Sequence, residues 1–254
     1  MHEYFRKLGY SSPSSKTDGV FQWHFNTKLE YFEKIHASDE YARDFDIYMA
    51  NLRLLRQGHW STWFPVRDEL LSEPTLTDES VLIVDVGGGG GHDLANFVHN
   101  FPDSRGRLVL QDLPAVIKNN TDNYHPRIEA MAHDIFQKQP IRGARVYYTR
   151  VVLHDWSDDE CRVILGHLRD AMKPGLSRLL LNELVIPDSG CSSSAAAADI
   201  HMMVGFGGKE RTVGDWSQLA ASMGLYVHKI WQTDNTKTPE FLIDIRLVGL
   251  TSKP

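Results

Sequence analysis

Five consecutive glycines, residues 87–91, follow directly on a run, residues 81–86, that is aliphatic except for Asp85. Beyond them, the apolar residues between Asp93 and Val98 recur at helical spacing. The sequence therefore predicts a strand, a tight turn and a helix in succession. Glycines allow such a turn to adopt positive φ and to approach a ligand closely, and the free N–H groups of the helix favour an electron-rich group. A nucleotide-like cofactor is the natural ligand, although nicotinamide, flavin and adenosylmethionine proteins all use a glycine turn of this kind.

The composition narrows the choice of partners. The net charge is −6 and no basic block stands out, which argues against nucleic acid and favours a small-molecule substrate. Cys161 and Cys191 have neither metal-ligand spacing nor a disulfide framework, and the 12 histidines form no zinc pattern. The sequence contains no signal peptide and no long apolar run. We therefore expect a soluble, cytoplasmic protein without a metal or a membrane anchor.

Strand patterns alternate with helical patterns over residues 81–250, which predicts an α/β fold with a doubly wound, mostly parallel sheet. One of the predicted strands is long and covers residues 145–153. Ligands of such sheets bind at the carboxyl ends of the strands. Polar or glycine residues fall at five of these ends: Gly87, Asp112, Asp134, His154 and Glu183.

Asp112 ends the strand that follows the glycines, about twenty residues further on, where a ribose-binding carboxylate is expected. The same spacing also suits a helix cap, because a helical pattern begins near Pro114. The order of glycines and acid favours the ligand role.

The N-terminal part has a different pattern. Residues 21–57 have helical periodicity with a break near residues 37–39, which predicts two helices. We expect residues 1–65 to form a helical lead-in that covers the substrate, and residues 66–254 to form the cofactor-binding catalytic domain. Residues 191–198 contain three serines and four alanines, and we interpret this simple sequence as a mobile loop or an edited segment.

Several motifs together resemble one family. They are D-V-G-G-G-x-G, Q-D-L-P, H-D-I-F, V-V-L-H-D-W-S-D-D-E-C, N-E and G-G-K-E-R-T. This set resembles the catalytic domain of class I S-adenosylmethionine-dependent O-methyltransferases, specifically the caffeate/flavonoid-type family of plants and its fungal secondary-metabolite relatives. The resemblance implies a Rossmann-like, seven-stranded sheet whose last strand is antiparallel. It also implies S-adenosyl-L-methionine as methyl donor and S-adenosyl-L-homocysteine as product.

The resemblance assigns roles to individual residues. His154 is the implied general base, flanked and oriented by Glu183 and Glu210. The residues implied to hold the cofactor are Gly87, Gly89, Asp112, Leu113, Asp134, Phe136, Arg150 and Trp156. Arg150 stands where plant relatives have lysine, and Gly90 stands where relatives carry a side chain.

The chemistry of His154 agrees with this role. A phenol is a poor nucleophile until it loses its proton, and an imidazole with its usual pKa of about 6.5 suits proton removal near neutrality. A neighbouring carboxylate fixes the tautomer and stabilises the imidazolium. The alternative is a strand-end histidine with a structural role only. In an extended strand Asp155 would point away from His154, and we expect it to be structural.

The acceptor site is less defined. Apolar and Met-bearing residues suit a flat aromatic acceptor, and the candidates are Met49, Trp63, Met202, Met203 and Phe206. Family members carry an N-terminal dimerisation domain that has no counterpart in this sequence, so the implied homodimer would be weakened. Two other functions stay open: a methyltransferase-fold enzyme that catalyses a pericyclic reaction or a dehydration, and a cofactor-binding remnant without turnover.

Overall fold

The computed structural model of the chain describes residues 1–13, 15–38, 40, 41, 43, 44, 47, 59–72, 76–233 and 241–249. These residues fall into two compact units. The first contains the described residues of Met1–Gln57 together with His154–Asp158 and Leu184–Val213. The second contains those of Gly58–Leu153, Asp159–Glu183 and Gly214–Pro254. The predicted domain boundary at residue 65 remains a prediction.

The regular elements follow one another in chain order. The helices are α1 (His2–Lys7), α2 (Val20–Phe25), α3 (Tyr31–His36), α4 (Trp60–Trp63), α5 (His92–Asn100), α6 (Pro114–Asn120), α7 (Asp158–Ala171), α8 (Ser193–Phe206) and α9 (Val213–Ser222). The strands are β1 (Val81–Val86), β2 (Arg107–Asp112), β3 (Ile128–Ala132), β4 (Val146–Arg150), β5 (Arg178–Glu183), β6 (Leu225–Gln232) and β7 (Phe241–Leu247).

All these strands form one sheet in the second unit, in the order β3-β2-β1-β4-β5-β7-β6. Strands β1 to β5 pair in parallel, whereas β7 runs antiparallel to both β5 and β6. The expected α/β fold with a seven-stranded sheet and an antiparallel last strand is confirmed. Because the strand order reverses between β1 and β4, the glycine turn after β1 lies at the switch point where such sheets bind ligands.

The centre of this sheet is buried on both faces, as the near-continuous apolar strands require. Leu82, Ile83 and Val84 of β1 are all fully buried. Helix α4 contributes Trp60, whose ring lies 5.9 Å from that of Phe97 on α5. Burying such large aromatic side chains stabilises the unit and fixes α5, and with it the glycine turn that precedes α5.

Several aromatic side chains pack against one another in the first unit. The ring of Phe206 on α8 lies 4.4 Å from the ring of Tyr31 and 5.3 Å from that of Phe32. The predicted first helix is divided, because Asn26 adopts a left-handed conformation with φ of +48° and ends α2. Helix α3 ends at His36, close to the predicted break, and the second predicted helix lies largely outside the described residues.

The prediction of a mobile loop over residues 191–198 is wrong. Helix α8 begins at Ser193, and the hydroxyl of Ser192 accepts a hydrogen bond from the N–H of Ala195 as an N-cap. Alanine has the highest helix propensity of all residues, so the four alanines extend the helix that begins at Ser193.

The predicted strand over residues 145–153 is too long. Strand β4 ends at Arg150, because Val151 adopts a φ of +49° and its N–H bonds to the carbonyl of Asn182. A 3-10 turn, Leu153–Asp155, then replaces the extended chain. A left-handed β-branched residue costs about 1–3 kcal/mol, so the surrounding structure must enforce this turn.

Candidate functional site

The glycine turn, residues 87–91, is the first candidate binding element of the second unit. Gly87, Gly89 and Gly91 have φ values of +75°, +58° and +74°. The N–H of Gly87 donates to the carbonyl of Gln111 on β2 at 2.8 Å. A Cβ atom at Gly88 would collide with the side chains of Leu110 and Asp85, whereas a Cβ at Gly89 would meet nothing within 4 Å. The turn is therefore packed on the sheet side and open at Gly89.

Asp112 ties this turn to the end of β2. Its Oδ2 accepts a hydrogen bond from the N–H of Gly89 at 2.8 Å, and its Oδ1 accepts one from the N–H of Leu113 at 2.7 Å. Burial raises the pKa of the Asp112 carboxyl, and the two N–H groups oppose that rise. The N-cap position of α6 belongs to Leu113, so Asp112 is not the cap of this helix. The side chain of Leu113 is exposed.

Asp134 and Phe136 follow β3 in a turn of their own. The Oδ1 of Asp134 accepts a hydrogen bond from the N–H of Phe136 at 2.9 Å, as in an Asx turn. The carbonyl of Phe136 lies 3.0 Å from Nε2 of His167 on α7. These contacts hold both predicted adenine-binding residues in one short turn.

Arg150 lies in a buried polar network that the sequence did not reveal. Its Nη1 donates to Oδ2 of Asp93 at 3.1 Å. Oδ1 of Asp93 lies 3.1 Å from Nε2 of His59 and accepts from the hydroxyl of Tyr148 at 3.2 Å. Burial, followed by the Asp93 charge, raises the pKa of Tyr148 well above its usual range, so the hydroxyl remains a donor. The sequence signal for this network was Asp93, a carboxylate in the first helical turn after the glycines. A carboxylate that is buried there needs polar partners.

Glu183 supports the turn that leads to His154. Its Oε1 accepts hydrogen bonds from the N–H groups of Val152 and Leu153 at 3.1 and 2.9 Å. The residue is 2% exposed, so these charge-assisted bonds form in a dry environment, where they are strong. Glu183 thus holds the chain directly before His154.

In the first unit, His154 lies between two carboxylates. Its Nδ1 is 2.9 Å from Oε1 of Glu210, and its Nε2 is 3.5 Å from Oδ1 of Asp155. The expectation that Asp155 points away from His154 is therefore wrong. Successive side chains of a 3-10 turn are separated by about 120° rather than by the half-turn of a strand, which lets Asp155 reach the ring. Burial raises the pKa of Asp155 to about 6.

The G-G-K-E-R-T segment places Glu210 beside His154. Gly208 lies so close to the carbonyl oxygen of His154 that a Cβ would collide with it. The N–H of Lys209 then donates to this oxygen at 3.0 Å. Oδ1 of Asp199, on α8, accepts from the N–H of Glu210 at 2.9 Å. Asp199 was not singled out from the sequence, because its contact depends on the position of α8.

Arg211 holds the residues that follow His154. It is fully buried, and its Nη2 donates to the carbonyl of Trp156 at 2.8 Å and to Oδ1 of Asp158 at 2.8 Å. The ammonium of Lys16 lies 2.7 Å from the centroid of the Trp156 ring. Residues 156–158 are therefore contacted within the first unit both by the N-terminal residue Lys16 and by Arg211 of the G-G-K-E-R-T segment.

The predicted acceptor-site residues are spread over both units. Met202 and Phe206 are buried in the first unit, and Met203 beside them is partly buried. Trp63 belongs to the second unit, where it packs against the core cluster. Met49 lies outside the described residues.

Two kinds of feature are absent from the described residues. Among the described residues, no group of three or more His, Cys, Asp or Glu side chains could hold a metal ion. Within the same part of the chain, no helix is both long and apolar enough to cross a lipid bilayer.

The sheet order, the glycine turn at its switch point and the carboxylate at the end of the next strand define a Rossmann-like domain of the nucleotide-cofactor-binding class. The chain belongs to the O-methyltransferase domain family, whose model matches residues 21–226.

Individual relatives agree with this family. The chain is 39% identical over 231 residues to O-methyltransferase asqD of Emericella nidulans, and the match covers 91% of this chain and 59% of that protein. Among solved structures, it is similar to the LepI complex with SAM, with 29% identity and a TM-score of 0.88, over 97% of this chain and 62% of that one. A structure described as a pericyclic reaction enzyme shares 29% identity with a TM-score of 0.83 over the same fractions. The chain thus spans about three-fifths of the length of these relatives.

Proposed function

We propose that the chain catalyses transfer of a methyl group from S-adenosyl-L-methionine to a hydroxyl of an aromatic or enolic small molecule. The contact between His154 and Glu210, in a chain of the O-methyltransferase family, carries this proposal. A histidine paired with a carboxylate is suited to removing the proton of a hydroxyl group.

The glycine turn and its neighbours have the chemistry to hold the cofactor. Gly89 leaves open space, and the Asp112 carboxylate beside it has acceptor capacity for ribose hydroxyls. Asp134 and Phe136 offer an acceptor and a ring face for adenine, and Arg150 and Trp156 complete the proposed set. When bound, the sulfonium of S-adenosyl-L-methionine supplies the electrophilic methyl group.

His154 is the proposed general base. With the proton of the neutral ring on Nδ1, facing Glu210, Nε2 carries the lone pair that would accept the proton of the acceptor hydroxyl. Glu210 then stabilises the imidazolium that forms. Glu183 fixes the backbone that leads to His154, and we propose that its charge also acts on the imidazolium.

The proposed acceptor is a flat, largely apolar molecule. Met202, Met203 and Phe206 supply apolar and polarisable surface from α8, and Trp63 and Met49 complete the proposed acceptor contacts. We propose a cytoplasmic protein whose partner is this small molecule, not nucleic acid or a membrane, and which associates as a homodimer.

Calorimetry with S-adenosyl-L-homocysteine tests the cofactor site without an acceptor. We expect binding by the unchanged chain, and Asp112→Ala should weaken it about 10–100-fold, since hydrogen bonds to a charged group contribute about 1.5–3 kcal/mol. Asp78→Ala is the matched control, because Asp78 pairs with Arg105 at the surface. Failure of the unchanged chain to bind would exclude a methyltransferase cofactor site.

A labelled methyl donor tests the reaction. We expect label to appear in product from a panel of phenols and enols, and to disappear in His154→Ala while S-adenosyl-L-homocysteine binding remains. Retention of labelled product in His154→Ala would contradict the role of the base.

A second function is a cofactor-dependent pericyclic reaction or dehydration, because a similar solved structure is described as a pericyclic reaction enzyme. This function predicts conversion of a substrate without transfer of label. An inactive remnant would bind S-adenosyl-L-homocysteine and convert nothing. The pairing of His154 with Glu210 favours methyl transfer over both.

A further inference from the structure

The side chain of Lys16 lies on the segment that carries the proposed base. Its ammonium is 2.7 Å from the centroid of the Trp156 ring, well inside the distance at which a cation and an aromatic face attract one another. Trp156 is two residues after His154, and its carbonyl is already fixed by Arg211. The ring is therefore held at one end by its backbone and on its face by Lys16.

The charge of Lys16 also acts on Asp155. Burial is the largest influence on the pKa of this carboxyl and raises it to about 6, and Glu210 adds to the rise. His154 and Lys16 oppose the rise. Asp155 lies 3.5 Å from Nε2 of His154, the nitrogen that must accept the substrate proton.

The backbone of Lys16 is fixed by a buried glutamine. Nε2 of Gln22 donates to the carbonyl of Lys16 at 2.5 Å and to that of Leu29 at 3.0 Å, and its Oε1 accepts from the N–H of Gly19 at 3.0 Å. Gln22 is 4% exposed, so these bonds form away from water. The N-terminal segment thus holds Lys16 in one place instead of leaving it on a loose tail.

We propose that Lys16 is a positioning residue for His154: its ammonium holds the Trp156 ring, two residues beyond His154, and adds a positive charge to the segment that contains Asp155. This positioning role rests on the function proposed above, whereas the contacts of Lys16 do not.

The expected effect of Lys16 follows from the lone pair of Nε2. A protonated Asp155 would donate a hydrogen bond to Nε2 and occupy that lone pair, which would prevent His154 from accepting the substrate proton. An ionised Asp155 leaves the lone pair available and stabilises the imidazolium afterwards. By favouring the ionised form, Lys16 extends the pH range in which His154 can act.

The titration of Asp155 can be followed by carbon NMR in chain labelled at its aspartate carboxyls, with Asp155→Asn to assign the signal. We expect Lys16→Met, which keeps the length of the side chain and removes its charge, to move the Asp155 midpoint upward by about one pH unit. Lys16→Arg should return the midpoint to its original value, because it restores the charge.

Lys28→Met is the matched control, because Lys28 also belongs to the N-terminal segment but is exposed and pairs with Asp18. An unchanged or lower midpoint in Lys16→Met, or an equal shift in Lys28→Met, overturns the proposal. If Lys16→Met does not fold, Trp156→Leu carries the same test, since loss of the ring releases the ammonium and should also move the midpoint upward. Calorimetry with S-adenosyl-L-homocysteine separates this proposal from the proposed function. Failure of the chain to bind this ligand would contradict the cofactor site, whereas the Asp155 titration is measured without any ligand.

Discussion

Nδ1 of His154 lies 2.9 Å from Oε1 of Glu210, although 55 residues separate them in the chain. Glu210 is 5% exposed, and its backbone N–H is held by Asp199. A buried carboxylate at this distance favours the histidine tautomer with its proton on Nδ1. The contact with Glu210 therefore favours Nε2 as the nitrogen that accepts a proton.

Replacement of Glu210 by glutamine should impair the base without unfolding the chain. Glutamine retains an acceptor for Nδ1 but lacks the charge that stabilises the imidazolium, so we expect kcat to fall about 10²-fold or more. Nitrogen NMR of the His154 ring measures the tautomer without an acceptor, and Glu210→Ala should populate both neutral tautomers. A single Nδ1–H tautomer in Glu210→Ala would show that Glu210 does not select it.

Gly89 offers a test of the cofactor turn with a closely matched control. Gly89 and Gly224 have φ values of +58° and +69°, and at both positions a Cβ meets nothing within 4 Å. Alanine at either site should therefore cost a similar amount of stability, about 1–2 kcal/mol. Only Gly89→Ala should weaken binding of S-adenosyl-L-homocysteine in calorimetry, because only this Cβ enters the proposed ligand space. Equal affinities in the two variants would contradict the placement of the cofactor at Gly89.

The second unit was largely predictable because its signals are local. Apolar runs bounded by turn residues predicted the alternation of strands and helices, and the positions of Gly87, Asp112 and Glu183 at the ends of β1, β2 and β5 followed from the same runs. A near-continuous apolar run bounded by turn residues is typical of a parallel strand that is buried on both faces.

The parts that were not predicted depend on contacts between distant residues or on single backbone angles. No periodicity indicates that Val151 turns left-handed, and this one angle ends β4 early and brings Asp155 to His154. The contacts of Asp93 with His59 and of Lys16 with Trp156 exist only in the folded chain. The helix over the serines and alanines was not predicted, because a simple sequence is typical of loops, although alanine has the highest helix propensity of all residues.

Glu183 should stabilise the local backbone through the hydrogen bonds that its carboxylate accepts. Glu183→Ala leaves the N–H groups of Val152 and Leu153 without their acceptor in a buried environment, so we expect a loss of about 1–3 kcal/mol in urea unfolding. Glu183→Gln keeps a carbonyl acceptor and should recover most of that stability. If methyl transfer is nevertheless slow in Glu183→Gln, the charge of Glu183 also acts in catalysis. Equal stability of Glu183→Ala and the unchanged chain would contradict the structural role.

Asp155 should make the chain less stable as the pH rises, which is opposite to the usual effect of a carboxyl group in a folded protein. Burial raises its pKa from the ordinary value of 3.8 to about 6, so between these values the folded chain binds a proton that the unfolded chain does not. Asp155 therefore contributes stability that is fully present below about pH 4 and is lost as the pH rises through about 6. Asp155→Asn removes this dependence, and relative to the unchanged chain it should gain up to about 3 kcal/mol between pH 4 and pH 7.

Urea unfolding at a series of pH values measures this difference, and Asp78→Asn supplies a control of opposite sign. The hydrogen bond and charge of Arg105 lower the pKa of the exposed Asp78, so that carboxyl contributes stability at higher pH that is lost as the pH falls. The Asp155→Asn variant should therefore gain relative stability with rising pH, while Asp78→Asn should lose it or stay level. A constant difference between Asp155→Asn and the unchanged chain from pH 4 to pH 7 would show that the carboxyl beside His154 titrates normally.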